Sequence, residues 1–468
     1  MPTQQEYNVS KYDRKLHAKI NLLNFKYQVV AELSGVVVGE PSYSIDANSD
    51  IRRTCSLSIY PSDASFDISE GNKIWIDKYI QIYIGIEDIH TNEIVYTNIG
   101  IYIIDNPTRV YNATDNTITI KGQDLMAKMT GLRNGNLIGV DYVIKAGTNV
   151  RTAIISTIEL AGFTKYVVDE CPYDVPNEIR IGVGGTIYQI LTELKNICPS
   201  YQMYFDVDGV FHYNRIPTGD NEQIMADDDL FKKLLIGYNV DTDFQSVKNV
   251  IEVYGKTHDI KHYGGTATLT QGNIYNVTIS SITDLYDNLK IGFVTPNTED
   301  HEGTIKLKIN NLLELDIKNN DGSYPILKKD TYYVVKYQEN DNYFLFMGNI
   351  TPYGYAEDNN PNSPFYINGT SGIIRIVLQG GEYDNIFMDS LAQERAKYEL
   401  YLRCRLQDTV TLTCIPIYWL DVNNIIEITL PNKQGTETTE KYIVKNISTS
   451  LGSSSTQSIK AMKYYPTI

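Results

Sequence analysis

The stretch VKNVIEVYG, Val247 to Gly255, decides how this chain is divided. Val247, Asn249, Ile251 and Val253 alternate with Lys248, Val250, Glu252 and Tyr254, the two-residue period of a strand with two different faces. No hairpin follows. After KTHDIKHYGG, Lys256 to Gly265, comes a run of turn-punctuated strands of separate character. Much later the chain produces NNIIEITL, Asn423 to Leu430, which repeats the N-x-I-E pattern of Asn249 to Glu252 in Asn424 to Glu427. The expectation is one sheet with a segment inserted between its parts.

A chain of 468 residues is too long for a single core, and roughly two to four domains are expected. With 42% hydrophobic residues, 37 Tyr and only 2 Trp, and many Ile, Thr, Asn and Asp, the composition favours strands joined by polar turns. The net charge of -16 argues against a partner held by neutralised phosphates, which needs clustered Lys and Arg. Such a surface repels DNA, a property suited to a wall that DNA slides past.

Cys55, Cys171, Cys198, Cys404 and Cys414 are widely spaced and odd in number, without a C-x-x-C pair; reduced, buried thiols are expected, not a disulfide scaffold or zinc cluster. The opening MPTQQEYNVSKYDRKLHAK has no apolar signal-peptide core, and no later run reaches the ~18 apolar residues of a membrane span. Folding in a cytoplasm is expected.

From Lys11 to Met129 the pattern is strands. In KIWIDKYIQIYIGIED, Ile74, Ile76, Ile80, Ile82, Ile84 and Ile86 share one face. Gly100–Thr108 and Asn116–Asp124 follow as strands. Between Val140 and Pro217 helices appear: one capped by Thr148 and stopped at Gly162, the next opened by the Thr186 and Gln189 capping box, with Ile187, Ile190, Leu191, Leu194 and Ile197 on its apolar face. Asp208-Gly209 then turns a hairpin. Strands punctuated by Asp, Asn and Gly fill Lys261 to Gly354, Glu357–Gly372 reads as a polar linker, and a helix capped by Asp389 or by Ser390 with Gln393 buries Phe387, Leu391, Tyr398 and Leu402. The chain closes in strands up to Pro466.

That closing run resembles the opening one. IYIIDN, Ile101–Asn106, matches KYIVKN, Lys441–Asn446, with Tyr102 on Tyr442; Ile120-Lys121 and Ile459-Lys460 then follow at nearly equal distance, and Trp75 and Trp419 each precede an Ile-rich strand. A duplicated β domain is the reading.

No H-E-x-x-H, G-x-S-x-G or G-x-x-x-x-G-K-[ST] occurs. Gly182–Gly185 lead into the Thr186 cap, a turn and not a phosphate cradle without a following Lys. Cys198 and His212 fall near one another, but Cys198 ends a helix, where the dipole does not favour a thiolate. Asp206–Gly209 opens like a calcium loop and lacks the later Glu, so it is a hairpin turn. His258 and His262 have i, i+4 spacing in a stretch that is not helical, so a solvated linker is expected. The expected site list is therefore empty: no catalytic, cofactor-binding or metal residues, and no enzyme.

The order of parts resembles the baseplate hub, or tail hub, proteins of contractile phage tails and phage-like particles, most closely in YNVSKYDRKLHAKI, QSVKNVIEVYG, SLAQERAKYEL and IPIYWLDVNNIIEI. The resemblance implies a β-rich α+β chain: a first tube-like β domain at 1–135, a small two-helix α/β domain at 136–235, a second tube-like domain at 236–260 and 365–468, and an inserted β-sandwich-like domain with linker at 261–364. It implies a homotrimeric ring in the virion tail, between a six-fold tail tube and a three-fold spike or tip protein, through which DNA passes unbound, with no cofactor. The insert resembles tail-fibre β domains and is read as a docking surface for neighbouring baseplate proteins, with glycan binding as the competing role. A tail-associated cell-wall hydrolase, a glycan-binding tip protein and a surface adhesin are the alternatives.

Overall fold

The computed structural model describes residues 2–465 apart from 12–13, 89, 176–177, 220, 432–436 and 453. Tyr12 and Asp13 of the opening stretch, and Pro466, therefore lie outside the described residues. The chain divides into two units, Met1–Gln245 with Leu406–Ile468, and Ser246–Arg405.

The first unit is built on a 13-stranded, nearly closed barrel-like sheet. Its strands are β1 Lys15–Leu23, β2 Val29–Glu32, β3 Val37–Asp46, β4 Arg53–Ile59, β5 Tyr79–Glu87, β6 Ile94–Tyr111, β7 Asn116–Gln123, β8 Ile224–Ala226, β9 Leu235–Asp243, β10 Gln407–Cys414, β11 Ile425–Pro431, β12 Glu437–Ser450 and β13 Gln457–Lys463. Alternation places Leu57, Ile80, Ile82, Ile84, Tyr102 and Ile120 in one buried cluster with Val410, Leu412, Ile428, Val444, Ile447 and Ile459. β5 begins later than the Ile pattern indicates. Lys78 N donates to Trp75 O, turning the chain before the strand, so Ile76 is 65% exposed while Ile80 to Ile86 stay on the core face.

A small α/β body shares this unit. Helix Val150–Leu160 is capped by Asn149, not Thr148: Asn149 Oδ1 accepts from Thr152 N at 3.4 Å. It stops before Gly162, whose φ of 83° suits a residue without Cβ. Helix Ile187–Ile197 carries the expected box, with Gln189 N donating to Thr186 Oγ1 at 3.1 Å and Thr186 N to Gln189 Oε1 at 2.9 Å. The hairpin Tyr201–Phe205 with Phe211–Arg215 is also formed. Two short helices were not expected: Gln4–Val9, opened by a Thr3 and Glu6 capping box that the sequence does display, and Asp228–Leu234, capped by Asp227.

In the second unit, Val250–Tyr254 is the centre of a three-stranded sheet, antiparallel to Tyr353–Glu357 and parallel to Arg375–Leu378. This corrects the opening expectation. VKNVIEVYG does not share a sheet with Asn423–Leu430; the chain leaves the first unit after Gln245, before that strand, and returns at Leu406. Buried Asn249 explains why its strand stays where it is. Its Nδ2 donates to Phe365 O at 2.8 Å and Gly372 O at 2.6 Å, and its Oδ1 accepts from Ile374 N at 2.7 Å, fixing the segment read as a linker. The interrupted element is the sheet between β9 and β10.

Helix Asp389–Arg403 packs on that small sheet; of the residues expected to be covered, Phe387 is buried and Leu391 packs half-buried on the core, with Tyr398 and Leu402 also half-buried. Ala392, Arg395, Ala396 and Glu399 are its buried residues. Gly354 permits the approach, because a Cβ there would lie 2.1 Å from the Ala392 backbone. Neither Asp389 nor Ser390 caps the helix: its N-cap is Met388, and the Asp389 carboxylate instead accepts from Asn349 N at 2.9 Å, Asn349 Nδ2 at 2.7 Å and Tyr353 N at 2.9 Å. The remaining strands, from His262–Thr266 to Tyr343–Asn349, form an eight-stranded sheet around Phe293, Leu307, Ile317, Val335 and Phe344.

Candidate functional site: a duplicated sheet and its polar seam

Read outward from one edge, five strands of the large sheet run β3-β4-β7-β6-β5 and five others run β9-β10-β13-β12-β11. In chain order each array is first, second, fifth, fourth, third, and every neighbouring pair within it is antiparallel. The registers agree as well. Tyr102 stands opposite Ile80 as Tyr442 stands opposite Ile426, and Ile120 opposite Leu57 as Ile459 opposite Leu412. The same topology and register in both arrays is what a duplication produces, and short alternating motifs alone could not establish it. The copies differ between their first two strands: a short turn links β3 to β4, whereas the whole second unit separates β9 from β10.

The arrays meet where the end of β12 pairs antiparallel with β3, from Asn446 opposite Asp46 to Ser450 opposite Ser42. Around this junction buried polar groups satisfy one another. Gln457 is fully buried; its Oε1 accepts from Ile417 N at 3.0 Å and its Nε2 donates to Thr449 Oγ1 at 3.0 Å. Arg53, 2% exposed, pairs with Asp421 of the second array and donates from Nε to Phe205 O of the α/β body at 3.4 Å. Its backbone N donates at 2.9 Å to Asp124, whose carboxyl burial pushes up to about 6. Arg52 lies 4.0 Å over the Tyr204 ring and donates to Gln202 Oε1, which also accepts from Asn423 Nδ2 at 2.6 Å; Lys445 Nζ completes the chain at 2.8 Å from Asn423 Oδ1. The seam thus ties both arrays and the α/β body together through charges that are paired and hydrogen-bonded, the condition for burying them. Beside it a cavity of about 370 Å³ is lined by Arg53, Asn98, Asp206, Tyr418, Trp419 and Asp421.

The residues singled out as possible chemistry are held in structural bonds. His212 Nε2 lies 2.9 Å from Asp206 Oδ2, and its ring stacks on Tyr204, away from any nucleophile role with Cys198. The sulfur of Cys198 instead lies beside that of Cys171, with Cα atoms 7.6 Å apart, farther than a disulfide spans without backbone movement. The Cys171 neighbour comes from a loop, invisible to spacing rules. Asp206 Oδ1 accepts from Asp208 N and Val210 N at 2.9 Å each, the hairpin turn expected of that stretch. His258 is not solvated: it is 8% exposed, its N donates to Ile350 O at 2.9 Å, and its Nε2 has no hydrogen-bond partner among the described residues. His262 is elsewhere, 3.0 Å from Ser281 Oγ. Among the described residues, no three His, Cys, Asp or Glu side chains gather as a metal site, and no helix is long and apolar enough to cross a membrane.

Residues 362–468 match a family described as a domain of unknown function, DUF5048. The sequence matches no curated protein. Solved structures similar to this chain include three tail proteins. The 43 kDa tail protein of prophage MuSo2 from Shewanella oneidensis has 9% identity and a TM-score of 0.49, over 95% of this chain and 98% of that one. The tail protein from Neisseria meningitidis MC58 has 10% identity and a TM-score of 0.49, over 96% and 97%. Prophage tail protein gp18 from Listeria monocytogenes EGD-e has 8% identity and a TM-score of 0.44, over 95% and 94%.

Proposed function

We propose that this chain is a structural hub of a phage or phage-like tail baseplate, a non-enzymatic ring component that joins a six-fold tail tube to a three-fold spike or tip and surrounds the path of DNA. The observation that carries the reading is the pair of arrays with one strand order in a single chain. Three such chains supply six equivalent arrays to a tube and retain three-fold symmetry for a spike. In this reading residues 37–123 are the first tube-like domain, and 235–243 with 407–463 the second. The acidic charge supports it, since a wall that repels phosphates lets DNA pass. The eight-stranded sheet of the second unit serves as a docking module for neighbouring baseplate proteins. The test is the mass of the purified protein, alone and with its neighbouring tail proteins, with electron-microscope class averages of the same samples. A three-fold ring with a pore is expected; a monomer under every mixture defeats the reading.

A further inference from the structure

The contact that joins the two arrays within a chain is made once, yet the duplicated sheet offers the groups for it twice. Within the chain, Asn446–Ser450 at the end of β12 covers the outer edge of β3. By the register above, Tyr102 on Tyr442 places Thr108 on Ser448, and Val240 opposite Val410 takes the place of Tyr43 opposite Cys55. The counterpart of the β12 end is therefore residues 106–110 of β6, and the counterpart of β3 is β9. Neither has a strand on that side among the described residues: β5 ends its pairing with β6 at Ile103, and β9 is the last strand of the sheet order.

Exposure follows the missing contact. Tyr43 and Thr449, which meet in the existing junction, are each 2% exposed, whereas Val240 is 48% exposed and the Arg109 side chain 41%. On β9, Ile236, Tyr238 and Val240 are all exposed, although Tyr238 and Val240 lie opposite the buried core residues Leu412 and Val410. A nine-residue edge strand with an uncovered apolar row and no Pro or Lys is a template for another chain. The other face of β9 carries Asn239, Asp241 and Asp243, which Thr108 and Val110 would meet, while Arg109, bonded to Asp67 at 2.7 Å, comes to the Val240 face.

We infer that the occupant is a second copy of this chain, with its β6 segment 106–110 laid antiparallel on β9, Thr108 opposite Asp241 and Arg109 opposite Val240. The contact is head to tail, so repetition makes arrays of the two kinds alternate around a ring. The inference rests on the ring reading above and names the edges that meet.

The test is a T108C/D241C variant of the full chain, oxidised mildly and read as covalent oligomers, with each single variant as control, beside V240K and, on the opposite edge, V110D, both at exposed positions. Cross-linking in the double variant only, with V240K and V110D at monomer mass and wild-type circular dichroism, is expected. Oligomers that persist in V240K and V110D, with no T108C/D241C cross-link, overturn this interface and leave the ring reading intact. A wild-type protein that stays monomeric at every concentration and with its tail partners overturns both.

Discussion

Tyr43 and Val240 hold the same position in the two five-strand arrays, but Tyr43 is 2% exposed beneath the end of β12 while Val240 is 48% exposed at the sheet edge. The duplicated fold is thus used in two states within one chain, one copy covered and the other open. A monomer rarely retains an uncovered apolar edge, which is why the open copy points to assembly and not to a pocket chemistry.

The Arg53 and Asp421 pair should be among the most sensitive features of the first unit. Removing the carboxylate in D421A leaves a buried guanidinium with one carbonyl partner, at a cost of about 3 kcal/mol. Urea unfolding of the variant checks this. R53M/D421L, which removes both charges, should recover most of the loss.

Two buried titratable groups should tilt stability in opposite directions with pH. The carboxyl of Asp124 is raised to about 6 by burial, above its unfolded value near 3.9, so the folded state holds the proton more tightly and this group favours folding increasingly as pH falls from about 6 to 4. His258 is lowered to about 4, first by burial and then by Lys290 and Lys336, so its contribution is present above about 6.5 and is lost as pH falls through 4. Stability measured against pH should change slope with opposite signs in D124N and H258Q. Matching slopes in the two variants would contradict this.

At the start of helix Asp389–Arg403, D389A should cost about 2 kcal/mol, since three donors lose their acceptor, whereas S390A should cost less than ~0.5 kcal/mol because Ser390 is exposed and caps nothing. Thermal unfolding of the two variants separates the observed geometry from a Ser390 cap, which would reverse the order.

Glu399, buried between Arg395 and Arg403 at 2.8 Å from each Nε, holds the same helix to Tyr383. E399A should destabilise the second unit by about 3 kcal/mol by stranding the buried Arg395. G354A should cost about as much through its clash with the Ala392 backbone. Hydrogen exchange confined to residues 246–405 is the expected signature in both.

What the sequence determined by itself is what depends on a residue and its near neighbours. Alternation in Ile80 to Ile86 was legible from the two-residue period of a strand, and the Thr186 and Gln189 box, the stop at Gly162 and the turn at Asp206–Gly209 because each is closed by bonds a few residues apart. The match of Tyr102 with Tyr442 also read correctly, since a duplicated core repeats its spacing. The tertiary structure alone decided the partners. Val250–Tyr254 fits any edge with the right faces, and what selects Tyr353–Glu357 and Arg375–Leu378 is the long-range closure around Asn249. The burial of Arg395 and Glu399 in helix Asp389–Arg403 was missed for the same reason: an Arg and Glu pair is normally a solvated face, and only the groups facing it, Tyr383 and Glu382, make its burial affordable. The open edge at Val240 was hidden as well, because exposure belongs to what does not pack on a strand, and no local pattern records that.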